Sequence, residues 1–251
     1  MKLKILIITA ILLFQSKAVA QDFPAIQTDR PDQTECPFIT PKGYLQFENG
    51  FSYEKTTANT SQITAPTILT KLRINDHFEL RLITELVLEK EFSNQISGIK
   101  PILIGFKTRL WQEKGLLPTT SFIAHIAIPK WGTQKFQMPY YAPEFRFTMQ
   151  HTISPKQSIS YNLGAEWDGV TAAPTFVYTL TTGYSLSEKI SAYVELYGFI
   201  PQLEKPDHRL DAGLNYGFNP NHQLDISGGL GLSATSPDYF VSLGYSFRFK
   251  L

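Results

Sequence analysis

A two-residue alternation of apolar and polar side chains runs through almost the whole chain, and no other feature restricts its fold as strongly. Near the C-terminus Tyr239, Val241, Leu243, Tyr245, Phe247, Phe249 and Leu251 share one parity, with Phe240, Ser242, Gly244, Ser246, Arg248 and Lys250 on the other. Leu210, Ala212, Leu214, Tyr216 and Phe218 alternate in the same way with Asp211, Gly213, Asn215 and Gly217. Successive side chains of a strand point to opposite faces, so a sustained period of two predicts β-structure. We place twelve strands, at 43–55, 63–74, 78–91, 99–111, 118–129, 143–153, 158–168, 174–186, 190–200, 208–218, 222–233 and 238–251. Three are irregular: Pro66 lies inside the second, Ile123 breaks the pattern of the fifth, and the ninth is apolar on both faces.

The charged residues fall on one side of this alternation. Glu48, Lys71, Arg73, Glu79, Arg81, Glu85, Lys107, Arg109, Arg146 and Glu166 lie on the polar parity. So do Glu195, Asp211, Asp225 and Arg248. A soluble β-sandwich or a lipocalin-like barrel would show the same parity split. Strand length separates the readings: segments of about 11 to 14 residues exceed the 5–6 usual in soluble sheets and suit strands tilted across a bilayer. Aromatics of the apolar parity gather toward strand ends, at Phe51, Tyr53, Phe78, Tyr184, Phe218, Phe247 and Phe249, as interfacial girdles require. Tight turns at 75–76, 154–156, 187–188 and 219–221, with a looser one around 112–115, alternate with connections at 56–62, 92–98, 130–142, 169–173, 201–207 and 234–237. The expected fold is all-β, a transmembrane antiparallel up-and-down β-barrel of about 12 strands with both termini on the periplasmic side.

The N-terminal residues agree with export. Lys2 and Lys4, an apolar run from Ile5 to Phe14 and Ala18-Val19-Ala20 read as a signal peptide cut after Ala20. With 23 basic and 22 acidic residues in the chain, and three of the lysines in the leader, no strongly charged partner is implied and nucleic acid is excluded. The single cysteine, Cys36, has no partner for an internal disulfide.

Two stretches resemble known outer-membrane proteins. Ser242-Leu243-Gly244-Tyr245-Ser246-Phe247-Arg248-Phe249 is similar to the C-terminal assembly signal of bacterial outer-membrane barrels, with Leu251 keeping the parity. Thr28-Asp29-Arg30-Pro31-Asp32, the turn Pro41-Lys42-Gly43 and the strand Leu45 to Phe51 resemble the start of an outer-membrane transporter family associated with the MetA-pathway of phenol degradation. Pro237-Asp238-Tyr239-Phe240 is a further echo. The resemblance implies a channel in the outer membrane of a Gram-negative bacterium, without a cofactor. Its partners would be outer-membrane lipid, the barrel-assembly machinery acting on the C-terminal strand, and a small-molecule solute.

Candidate functional residues follow from the inward parity. Lys71, Arg73, Arg81, Lys107 and Arg109 on the early strands would form a basic wall, with Glu48, Glu79, Glu85 and Glu89 among them. Glu166, Glu195, Asp211 and Asp225 would form a more acidic wall opposite, and Arg146 and Arg248 complete the charged lining. Opposed walls set a transverse field across a pore; the same charges would also serve as a structural network filling the lumen. Trp131, Phe136, Tyr140 and Tyr141 make the longest connection either an aromatic constriction or an outer rim at headgroup level. The segment 21–42 cannot be wall, because Pro31, Pro37 and Pro41 remove ladder donors. It is expected to enter the lumen with Asp29, Arg30, Asp32 and Glu35 paired to lumen charges, the alternative being a periplasmic lead. The function expected is passive passage of small solutes. The alternatives are a closed barrel serving as scaffold or adhesin, and a lipid-modifying enzyme around His151 and Ser154.

Overall fold

Thirteen strands run up and down along the described part of the chain, residues 25–251 of a computed structural model. The expected signal peptide, 1–20, lies outside the described residues. The strands are β1 (Tyr44–Thr57), β2 (Thr60–Arg73), β3 (Phe78–Glu91), β4 (Asn94–Ile99), β5 (Leu103–Trp111), β6 (Thr119–Ala127) and β7 (Ala142–Ser154). They continue as β8 (Gln157–Glu166), β9 (Thr175–Ser185), β10 (Ile190–Pro201), β11 (Asp207–Asn219), β12 (His222–Gly231) and β13 (Tyr239–Lys250). Each pairs antiparallel with its neighbours, and β1 closes the sheet on β13 from Tyr44↔Lys250 to Lys55↔Tyr239. β4 and β5 both pair with β3, through Leu86↔Ile99 and then Ile83↔Leu103, so they are two halves of one stave. The wall is a closed barrel of twelve staves.

The irregular segments have local causes. Pro66 falls in a register shift between Thr64 and Thr67, a bulge where a residue without an N–H costs no ladder bond. Ile123 stands on the lumen parity of β6 and is buried. Tyr193 and Tyr197 occupy the lumen parity of β10 and are buried, which makes both faces of that strand apolar in sequence.

Two connections are shorter than the alternation predicts. Only Ala58-Asn59 joins β1 to β2 and only Phe92-Ser93 joins β3 to β4, so the residues expected as loops at 56–62 and 92–98 are largely strand. Above the membrane both faces of a hairpin meet water, and the period-two contrast disappears although the ladder continues. The 128–141 connection is long, and its backbone mends the wall. Thr133 N donates to Ile99 O (2.9 Å), Ile99 N donates to Thr133 Oγ1 (2.9 Å), and Ile102 N donates to Trp131 O (3.0 Å). These bonds cover the β4 edge that the shorter β6 leaves open, satisfying groups that would otherwise stand unpaired in the wall.

The outer surface carries the apolar parity: Leu82, Ile104, Leu163, Leu180, Leu210 and Leu243 are all exposed. In bulk water such a belt would be a large unpaired apolar area, and lipid is its natural solvent. Leu82→Arg places a charge on this belt and is expected to destabilise the barrel by about 2–4 kcal/mol if the site is at bilayer mid-depth. Equilibrium unfolding from liposomes measures this directly, and a change below roughly 0.5 kcal/mol would contradict a lipid-facing Leu82.

Candidate functional site: the lumen and the strip that crosses it

The segment before β1 runs inside the barrel. Ile26 N donates to Pro220 O (2.8 Å) in the β11–β12 turn, which fixes its approach from the short-turn end. Farther along, Gln33 N donates to Glu195 (2.7 Å) on β10 and Glu35 N to Asn162 Oδ1 (2.7 Å) on β8. Ser121 on β6 donates to Pro37 O (2.5 Å), and Thr40 N donates to Glu79 (2.6 Å) on β3. The chain then turns into β1 through Gly43, whose φ of +77° suits a residue without a side chain. Thus a strip whose prolines bar it from the wall finds its backbone partners among lumen side chains instead.

Asp29 is the anchor of this strip. Its Oδ1 accepts from Lys107 Nζ (2.7 Å) and from the backbone N–H of Cys36 (3.0 Å), which ties the strip to itself. Its Oδ2 accepts from Lys71 Nζ (2.9 Å) and Arg81 Nη1 (2.8 Å). One carboxylate therefore draws together cations from β2, β3 and β5. Lys107 also donates to Cys36 O (2.8 Å) and Phe38 O (3.5 Å), using all three of its protons. Lys71 pairs in addition with Glu48 (2.5 Å), and Arg81 with Glu35 (2.7 Å) and Glu79 (3.5 Å). Glu48 in turn accepts from the backbone N–H groups of Asp29 (2.9 Å) and Arg30 (3.2 Å). Arg81 Nε donates to His125 Nε2 (2.9 Å), so the opposite ring nitrogen carries the proton toward Glu144 (2.6 Å). Buried charges persist only when paired in this way.

Arg30 lies along the opposite side of the strip. Its guanidinium reaches Asp225 Oδ1 (2.9 Å) and Ser242 Oγ (2.9 Å). The slot exists because Gly50 on β1 and Gly244 on β13 face one another in register. A Cβ at Gly50 would stand 2.1 Å from Arg30 Nη1, and one at Gly244 2.4 Å from Arg30 Nε.

The remaining candidates divide between rim and lumen. Arg73 and Arg109 sit on the lumen parity but at the short-turn rim, where they bond Asp76 Oδ1 (2.6 Å) and Asp76 O (2.9 Å). Arg248 is at the same rim, bonded to Asn221 Oδ1 (2.9 Å) with its guanidinium 5.3 Å from the Tyr44 ring centre. Glu85 accepts from Thr67 (3.2 Å), and Arg146 approaches Glu166 (3.5 Å) and Gln33 O (3.3 Å). Glu195 and Asp211 are register partners on β10 and β11, and Asp32 of the strip faces both carboxylates. Trp131, Tyr140 and Tyr141 are exposed, and among the described ring contacts none joins them to one another or to Phe136. His151 is bonded to Tyr161 Oη (3.3 Å) on the outer face, with no serine partner in that contact.

Sequence reasoning did not single out Thr34, Asn162, Gln46 or His125 as site residues, yet all four are buried in the strip's contact surface or beside it. For Asn162, Gln46 and His125 the signal was the inward parity alone, which they share with many residues that touch nothing of the strip, whereas Thr34 lies on the strip itself, outside the alternating segments. On one side of the strip the lumen is hollow. A polar cavity of about 460 Å³ opens on the short-turn end, lined by Asp32, Thr181, Tyr193, Asn215 and Gln223. Away from the strip, a second cavity of about 540 Å³ lies between the ends of the β1–β2 and β3–β4 hairpins, lined by Gln62, Glu89, Glu91, Asn94 and Lys135.

An apolar outer belt, a closed antiparallel wall and a charged interior define an outer-membrane β-barrel. The sequence pattern of the family described as "Putative MetA-pathway of phenol degradation" matches residues 28–249, and the chain belongs to that family. Among solved structures, an outer-membrane channel from Pseudomonas putida F1 shares the fold with a TM-score of 0.67 at 13% identity, covering 88% of this chain and 99% of that one. The P. putida toluene transporter TodX aligns with a TM-score of 0.55 at 10% identity, covering 84% and 91%. The KdgM porin in complex with disordered oligogalacturonate aligns at 0.54 and 9%, covering 82% and 99%. No curated protein matches the sequence.

Proposed function

We propose that this protein is an outer-membrane channel for passive passage of small solutes, with the strip at 28–40 as its constriction. The observation that carries this reading is the polar cavity of about 460 Å³ inside the barrel, which the strip itself borders through Thr28, Asp32 and Thr34. A scaffold or adhesin with a filled lumen would not need that hollow space. The relatives support a transport role: the family's description names phenol degradation, and the structural neighbours include a toluene transporter and a porin. On that analogy, aromatic compounds are the first solutes to examine. No catalytic step is assigned, because the nearest His–Ser arrangement is occupied by a tyrosine contact on the lipid face.

The test is reconstitution of the full chain into planar bilayers and liposomes. Discrete conductance steps, together with swelling of liposomes in small permeant solutes, are the expected result. Folded barrel in the bilayer without either would overturn the channel reading in favour of the scaffold.

A further inference from the structure

The two halves of the lumen wall differ in kind at the short-turn end. Cations of β2, β3 and β5 are bound up with Asp29 on one half. The cavity of about 460 Å³ lies against the other half, and every strand from β7 to β12 contributes to its lining. Gln150, Ser158, Ser160, Ser191, Asn215 and Gln223 all stand there on the lumen parity, half-buried. No strand residue of β7 to β12 brings a charge to this lining. The ionic groups around it sit on the strip and the turns and are of both signs: Arg30, Asp32, Lys156, Glu188 and Lys189. Arg30 is already paired with Asp225. The chamber is polar but close to neutral.

Its amides and hydroxyls are held in place by one another. Ser160 Oγ donates to Gln150 Oε1 (3.1 Å), and Asn215 Nδ2 donates to Ser191 Oγ (3.4 Å). Gln223 Nε2 donates to Asn215 Oδ1 (3.1 Å) and to Thr28 Oγ1 (2.9 Å) on the strip. Among the described residues, the Gln150 NH2, the Gln223 side-chain carbonyl and the Ser158 hydroxyl are left without a protein partner at the cavity's edge. Oriented donors and acceptors therefore stand side by side, all uncharged. A hydroxyl group is itself a donor and an acceptor, so it can replace cavity water at such a lining without stranding either kind of partner. A charged solute meets no wall counter-charge to offset the loss of its water. An aromatic solute meets one ring of lumen parity, Tyr193, to pack against. The volume falls within the roughly 300–1,000 Å³ of small-molecule pockets.

Resting on the channel reading above, we propose that this chamber is the solute-binding vestibule of the pore, and that it takes uncharged, polyhydroxylated solutes of sugar size. The neutral hydrogen bonds it offers are individually weak, so a solute is oriented there and released again, as passage requires. Thr28 and Thr34 of the strip border the chamber, and Gln223 is bonded to Thr28, so the vestibule ends at the constriction itself.

The experiment measures block of the single-channel K⁺ current of the full-length protein by glucose, glucuronate, glucosamine and phenol. The three sugars share a ring and differ in charge, so they separate hydroxyl recognition from ionic recognition, while phenol tests an aromatic solute. Glucose is expected to halve the current at a concentration about threefold or more below that of each other probe. Gln150→Leu removes a free amide and Ser158→Ala a free hydroxyl. Each is expected to raise the glucose requirement about threefold, the worth of one neutral hydrogen bond. Ser158→Ala deletes a single oxygen, so it keeps the test valid should Gln150→Leu fold poorly. Absence of glucose block, equal or stronger block by another probe, or a glucose response unchanged in both variants would overturn the proposal while leaving the channel standing. Folded wild type that carries no current at all would remove the channel reading itself, and the vestibule with it.

Discussion

Deleting residues 21–40 should raise single-channel conductance by about threefold or more and turn the pore toward anions. Both effects come from the same contacts. The strip crosses the lumen from the β11–β12 turn to β3 and borders the 460 Å³ cavity, so its loss widens the water path there. Its loss also uncovers Lys71, Arg81 and Lys107, which are otherwise neutralised through Asp29, while removing the acid at Asp32. Conductance and reversal potential therefore move together. A simple periplasmic lead would leave both unchanged, and that outcome would contradict the strip's role as constriction. The deletion should also lower the barrel's thermal stability, because three lumen cations lose their principal counter-charge and are left partly unpaired in a confined space.

A single change at Asp29 is the second large effect. Asp29→Asn keeps the shape of the side chain but takes a negative charge away from three buried cations. Breaking a buried pair by removing one partner costs about 3–5 kcal/mol, and here the cost falls on the docked strip rather than on the wall. The expected record is a channel that flickers between the wild-type level and the level of the deletion. Asp29→Asn combined with Lys107→Met should recover part of the closed state, since the second change removes one of the uncovered cations. A variant that stays at the wild-type level without flicker would show that hydrogen bonds from the strip backbone, and not Asp29, hold it in place.

The barrel was readable because a closed wall with lipid outside and water inside must alternate along every strand, and each charge at mid-strand declares its face. Depth was harder to read. Lys71 and Arg73 are two residues apart on one strand and share a face, yet one is buried against Asp29 and the other trims the rim beside Asp76. Parity carries no information on how far along the pore a side chain stands, or on which of several acids it meets. The basic wall was visible for the same reason that its neutralisation was not, since the counter-charge comes from outside the alternating segments. The hairpin ends were lost for a different reason: once a strand rises above the bilayer, water on both sides removes the contrast that marks it. Likewise the 128–141 connection advertised its aromatics, while its backbone bonds to Ile99 and Ile102, invisible in composition, are what keep the wall continuous.

The slot for Arg30 has a consequence for the order of assembly. Its partners Asp225 and Ser242 lie 195 and 212 residues away in sequence, and the opposed glycines that make room for it belong to the first and last strands. Asp225 stands on β12, but the slot that brings Arg30 to it does not exist until β1 meets β13. The strip precedes every strand, but Arg30 is among the last side chains to find its place, because the longest-range contacts wait for the ends of the wall to join. The Asp29 anchor draws on β2, β3 and β5 alone, so of the strip's contacts it is the Arg30 slot that reports the success of closure.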